Sequence, residues 1–106
     1  MYFDQSQYFG LYTDFYELTM AQGYFESDKQ RQQVTFDYYF RTNPYQGGYT
    51  VFAGLQDFLE MLTHFTYSES DLRYLEEQGL APAFIDYLRD FKFTGTIYSV
   101  KEGEIV

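Results

Sequence analysis

Thr13-Asp14-Phe15-Tyr16-Glu17-Leu18-Thr19-Met20-Ala21-Gln22-Gly23-Tyr24-Phe25 is helical in pattern and apolar on two faces. At about 100° per residue, Phe15, Leu18, Ala21 and Phe25 fall on one side and Tyr16, Met20, Gly23 and Tyr24 roughly opposite, leaving Glu17, Thr19 and Gln22 for water. A surface helix with a single apolar stripe has a different pattern. Thr13 or Asp14 can cap the first turn, and Asp14 with Glu17 has capping-box spacing, so the helix is expected to start at about residue 14. Tyr16 then sits in the first turn, near unpaired backbone N–H groups.

On the N-terminal side, residues 1–12 show no clear period. Tyr2, Phe3, Tyr8, Phe9 and Tyr12 are too many aromatics for a free tail, so this arm is expected to pack on something. On the C-terminal side, residues 26–33 are wholly polar and read as a surface connection. Val34-Thr35-Phe36-Asp37-Tyr38-Tyr39-Phe40-Arg41 then alternates strictly and reads as a strand. Its second face holds Asp37, Tyr39 and Arg41, which either converge on a site or form an ordinary surface ion pair.

Asn43-Pro44-Tyr45-Gln46-Gly47-Gly48 is a turn by composition, Pro44 fixing one φ and the two glycines allowing positive φ. The spacing of a P-loop is absent. From Gly54 to Phe65 the positions Leu55, Phe58, Leu59, Leu62 and Phe65 follow helical spacing, with Asp57, Glu60 and His64 opposite. His64, the single histidine, is therefore expected to be exposed; Glu60 and His64 alone are too few ligands for a metal. Residues 68–78 read as a short helix capped by Ser68 or Ser70 and stopped by Gly79, with Leu72 and Leu75 inward. Pro82 opens another, with a stripe of Phe84, Leu88 and Phe91 broadened by Ile85. Thr94-Gly95-Thr96-Ile97-Tyr98-Ser99-Val100 reads as a strand, Lys101-Glu102-Gly103-Glu104 as a hairpin-like turn, and Ile105-Val106 as the start of a second strand. Two residues are too few to pair usefully, so the sequence is expected to be cut from a longer protein.

Composition narrows the function. A chain of 106 residues forms one domain at most and is small for a complete multi-substrate enzyme. The 13 Tyr and 12 Phe suit a surface covered by something else, unless they reflect a Tyr-rich lineage. Sixteen acids against seven bases leave a net charge of −9, which disfavours nucleic acid and anionic membranes as partners. No cysteine is present, which fits a reducing compartment, and no apolar run approaches a membrane span, so a cytoplasmic protein is expected.

The motif T-D-x-Y-x-x-T-M at Thr13–Met20, followed by a small residue and an aromatic pair, resembles the N-terminal signature of nicotinate phosphoribosyltransferases. Phe40-Arg41-x-x-Pro44-Tyr45-x-Gly47-Gly48 and Ala53-Gly54-Leu55-Gln56-x-Phe58-Leu59 are similar to the family's second block, and residues 95–106 to the strand that follows. The resemblance implies an α+β segment of several short helices and a few antiparallel strands, residues 1–106 forming part of the N-terminal domain and stopping before the phosphate-binding α/β barrel. It implies the joining of nicotinate to phosphoribosyl pyrophosphate, coupled to ATP hydrolysis through a phosphorylated histidine, with ATP and Mg²⁺ as cofactors of the full-length enzyme and none bound by this segment. By itself the segment is expected to be inactive.

The site residues follow by position in the motif. Tyr16 matches the tyrosine that stacks on the pyridine ring, offered across a homodimer interface into the neighbouring subunit's site. Asp14 matches the motif's aspartate and would orient Tyr16 or the ring, although helix capping explains it equally well. Arg41 matches an arginine that reaches phosphate in related enzymes, a task suited to a guanidinium fork. No residue matches the phosphorylated histidine, and His64 does not fill that role. Two other readings stay open: a nicotinamide or quinolinate phosphoribosyltransferase segment, and a non-enzymatic, aromatic-rich dimerisation module.

Overall fold

The computed structural model describes residues 7–106, so Tyr2 and Phe3 of the aromatic arm lie outside the described residues. The rest of the arm does pack. Phe9 N–H donates to the His64 carbonyl and Gly10 N–H to the Thr66 carbonyl, both at 2.9 Å, and Leu11 lies against the core.

Four helices follow: α1 (Phe15–Glu26), α2 (Leu55–Leu62), α3 (Glu69–Glu77) and α4 (Pro82–Arg89), with a 3₁₀ turn at Pro44–Gln46. In α1 the N-cap is Asp14, but its side chain accepts no capping hydrogen bond; Glu17 instead accepts from the Thr13 hydroxyl. Helix α3 starts with the expected capping box: Asp71 N–H donates to Ser68 Oγ at 3.1 Å and Ser68 N–H to Asp71 Oδ2 at 2.9 Å. Beyond α3, Gly79 takes φ 96°, a conformation that stops a helix cheaply only with glycine. Pro82 at the start of α4 gives up an N–H that no helix would use.

Helix α4 packs on both α3 and α1, and this cluster holds the core. Leu18, Tyr67, Leu72, Leu75, Leu80, Phe84, Ile85 and Leu88 are buried, with Leu11, Ala21, Phe25 and Phe91 packed against them. Phe25 of α1 brings its ring 5.7 Å from Phe84 and 5.0 Å from Tyr87 on α4. Gln22, assigned to water by its place on the helical wheel, accepts a 2.7 Å hydrogen bond from Ala81 N–H and so ties α1 to the start of α4. Arg89 of α4 pairs with Glu69 of α3, a surface contact that adds little.

Helix α2 stands apart: it packs on none of the other helices and none of its residues is buried. Its apolar stripe is therefore largely open, Phe58 and Leu59 among the exposed residues. His64, two residues past its end, is half-buried, contrary to the expectation of exposure, because the arm crosses there.

The antiparallel strands expected at 34–41 and 94–100 are not formed. Neither stretch has regular secondary structure, and among the described residues neither makes a backbone–backbone hydrogen bond. Alternation marks the faces a strand would bury, but only a neighbour can satisfy its N–H and C=O groups, and none lies alongside. Pairing appears where it was ruled out. Ile105 forms an antiparallel bridge with Val51, Thr50 and Val106 exchange bonds of 3.0 and 2.8 Å, and Phe52 bonds with Gly103 and Glu104 at 2.7 Å each. The turn at 101–104 thus returns the chain to residues 50–52 and not to 94–100.

These bare stretches leave the molecule open. Its radius of gyration is 16.5 Å, against about 13 Å for a compact chain of this length. Its accessible surface is 8810 Å², against about 6,200 Å² for a compact monomer of this mass.

Candidate functional site

Tyr16 lies in the first turn of α1 with its side chain 60 % exposed, and its carbonyl accepts a 2.8 Å hydrogen bond from the Thr19 hydroxyl. The face it occupies also holds Met20 and Tyr24, both about half exposed, and Gly23, where an added Cβ would meet nothing within 4 Å. The opposite face, with Leu18, Ala21 and Phe25, is the one packed on the core. Of the two apolar faces read from the sequence, one is thus covered by this chain except at Phe15, which stays exposed, and the other is bare.

Asp14 is exposed in extended backbone just before α1, and its carboxylate does not cap the helix. Capping therefore does not account for it. Arg41 is exposed in the unpaired stretch 34–41, and among the described residues it makes no hydrogen bond or ion pair, so the surface pair with Asp37 is not formed. No hydrogen bond or ion pair joins Asp14, Tyr16 and Arg41. They are separate groups on an open surface, not an assembled site.

The turn after Arg41 departs from its expected chemistry. Gly47 has φ −78°, and the positive φ angles fall on Tyr45 at 55° and Gln46 at 57°. Both are strained for residues with a Cβ. Two bonds hold the turn: Gly47 N–H to the Pro44 carbonyl at 2.9 Å, and Thr50 Oγ1 to Asn43 Oδ1 at 3.0 Å.

Sequence reading missed Glu102. Its carboxylate lies at the N-terminus of α2 and accepts from Gly54 N–H at 2.9 Å, Leu55 N–H at 3.2 Å and Gln56 N–H at 3.4 Å. A carboxylate there satisfies donors the helix leaves open and complements its dipole. Nothing local could have revealed this, because the partner lies 46 to 48 residues away.

Open clefts mark the surface of the described residues. One of about 430 Å³ between α3 and α4 is lined by Glu76, Pro82, Ala83, Ile85, Asp86 and Arg89. Another, about 290 Å³ and largely apolar, lies between α2 and residues 93–97. Neither includes Asp14, Tyr16 or Arg41. Among the described residues no group of three His, Cys, Asp or Glu side chains could hold a metal ion, and no helix is long and apolar enough to cross a membrane. Tyr67 has a pKa raised to about 12, chiefly by burial and further by the Asp71 carboxylate. It belongs to the core and faces none of the candidate residues.

A family model described as the nicotinate phosphoribosyltransferase N-terminal domain matches residues 11–106. Among curated relatives, a nicotinate phosphoribosyltransferase of Bacillus subtilis is 43 % identical over 97 residues, which is 91 % of this chain and 20 % of the relative. One of Caenorhabditis elegans is 39 % identical over 100 residues, 91 % of this chain and 18 % of the relative. Nicotinate phosphoribosyltransferase 1 of Arabidopsis thaliana is 36 % identical over 99 residues, with the same coverage. The chain thus spans about a fifth of the length of the curated relatives it matches.

Proposed function

Because the chain belongs to the family of nicotinate phosphoribosyltransferase N-terminal domains, we propose that it is the first part of such an enzyme and acts in NAD salvage. In that reaction the pyridine nitrogen of nicotinate forms a bond to C1 of phosphoribosyl pyrophosphate, the C1–O bond breaks, and pyrophosphate leaves with the bonding electron pair. The product is nicotinate mononucleotide.

This segment's part is to bind and orient. Tyr16 supplies a flat aromatic face that its own chain leaves uncovered at the motif position, and that observation carries the proposal. Stacking on a pyridine ring needs such a face on at least one side. In a homodimer Tyr16 enters the neighbouring subunit's site, Asp14 orients its ring or the substrate's, and Arg41 binds phosphate of the phosphoribosyl donor as a guanidinium fork. The cofactors of the whole enzyme are ATP and Mg²⁺, hydrolysis of ATP driving the transfer. The residues described here do not fit that pair, since they form no metal-binding cluster and Arg41 stands alone in its stretch. No step of this segment is therefore routed through them. The setting is the cytoplasm.

Complementation in the full-length enzyme tests the proposal. Tyr16→Ala should weaken nicotinate binding by about 1 kcal/mol or more without unfolding the protein, and Tyr16→Phe should retain most of the affinity. Mixing Tyr16→Ala chains with chains disabled only in the barrel should restore activity, because one site of the mixed dimer then has two intact halves. Verified mixed dimers without activity would end the shared-site reading.

A further inference from the structure

Arg41 stands two residues before a side-chain clasp. Asn43 accepts a 3.0 Å hydrogen bond at Oδ1 from the Thr50 hydroxyl, and of the two residues Thr50 is the fixed one. It is only 8 % exposed, whereas Asn43 is exposed, and its backbone exchanges hydrogen bonds of 3.0 and 2.8 Å with Val106. The clasp thus fastens an exposed turn to a residue held by burial and by ladder pairing. We propose that Asn43 and Thr50 are positioning residues that hold Arg41 where its guanidinium meets phosphate of the phosphoribosyl donor. This rests on the phosphate-binding reading of Arg41 and adds to it the side chains that place the group.

Three observations carry it. The Thr50 hydroxyl is a buried donor, which must keep an acceptor, so the clasp is costly to open. The turn it spans is strained: Tyr45 and Gln46 hold φ angles of 55° and 57°, which side chains with a Cβ keep only where the surroundings enforce them. The second bond of the turn, from Gly47 N–H to the Pro44 carbonyl, closes the turn on itself and fastens it to nothing else. Tether length supplies the magnitude. With the clasp closed, Arg41 is two residues from a fixed point, about 7 Å of extended chain; with it open, that distance along the chain is the nine residues to Thr50. The effective concentration of a tethered group falls roughly as the −3/2 power of tether length, so opening the clasp dilutes Arg41 at its target about tenfold.

The test uses the full-length enzyme and reads kcat and the KM of each substrate. Thr50→Val removes the hydroxyl at nearly constant shape and should raise the KM for phosphoribosyl pyrophosphate about tenfold, with nicotinate KM and kcat changed less than about twofold. Thr50→Ser, which keeps the hydroxyl, should stay close to the parent. Asn43→Ala, at an exposed position, should match Thr50→Val and serves if that variant does not fold. In an Arg41→Ala background either substitution should add nothing, a result that a merely structural role would not produce. Parental KM in Thr50→Val and Asn43→Ala, while Arg41→Ala raises it, would overturn the clasp and leave the phosphate role standing. So would a rise in Asn43→Ala alone, which would mean that Asn43 meets the substrate itself, or an equal rise with and without Arg41. An unchanged KM in Arg41→Ala would instead remove the reading on which the clasp depends.

Discussion

Gly10 lies flat against the ring of Tyr67: a Cβ at residue 10 would fall 2.6 Å from Tyr67 Cζ and at similar distance from two neighbouring ring carbons. Real Cβ atoms do not approach so closely, and Tyr67 is itself wedged in the core. Gly10→Ala should therefore destabilise the protein by about 1–3 kcal/mol, the usual cost of overpacking. A urea titration checks this. In a Tyr67→Ala background the same substitution should cost nothing further, and an equal cost in both backgrounds would show that the two residues are not coupled.

Tyr67 also makes stability depend on alkaline pH. Its folded pKa, about 12, lies above the ordinary tyrosine value of 10.0, so between the two the folded state holds a proton that the unfolded chain has released. This contribution is complete below pH 10 and is lost as pH rises toward 12, on the order of 2 kcal/mol in all. Tyr67→Phe should flatten that part of the stability profile relative to the parent. Parallel profiles for the two proteins between pH 10 and 12 would contradict it.

Much of this core was readable from residue order. Leu72, Leu75, Phe84, Ile85 and Leu88 are buried as their helical spacing requires, and Ser68, Gly79 and Pro82 punctuate α3 and α4 as their chemistry dictates, because capping and amphipathic burial are local. Phe36 and Tyr38 were readable only as candidates for burial, since pairing depends on a neighbour that alternation cannot name. Gln22 and Glu102 escaped for the same reason: each serves a distant backbone N–H. For the site, the two apolar faces of α1 could be read from period alone, but not which of them the core covers, and the roles of Asp14 and Arg41 rest on motif position, since no packing neighbour constrains either.

The unpaired stretches give a prediction about handling. Phe36, Tyr38 and Tyr98 are each more than 80 % exposed, and the backbone beside them is open to any strand that comes near. Residues 1–106 expressed alone should self-associate, and Phe36→Lys with Tyr98→Lys should shift the population toward monomer by placing charge on the exposed strands. A sharp monomer for the parent in sedimentation velocity would refute this.

Arg41 provides the test of phosphate binding. Losing a charge-assisted hydrogen bond costs about 1.5–3 kcal/mol, so Arg41→Ala in the full-length enzyme should raise the KM for phosphoribosyl pyrophosphate roughly ten- to a hundredfold, and that for nicotinate much less. Equal effects on both substrates, or none, would return Arg41 to an ordinary surface position.

Glu102 also bears on the order of folding. The carboxylate that holds the first turn of α2 closes a loop of 48 residues, an ordering cost on the order of 3 kcal/mol that must be met before the contact forms. Helices α3 and α4, close in sequence and packed on each other, face no such delay. Pulse-labelled hydrogen exchange should find α2 amides protected after those of α3 and α4. During synthesis α2 would then emerge with its N-terminal donors unsatisfied, and they would stay so until residue 102 had cleared the ribosome.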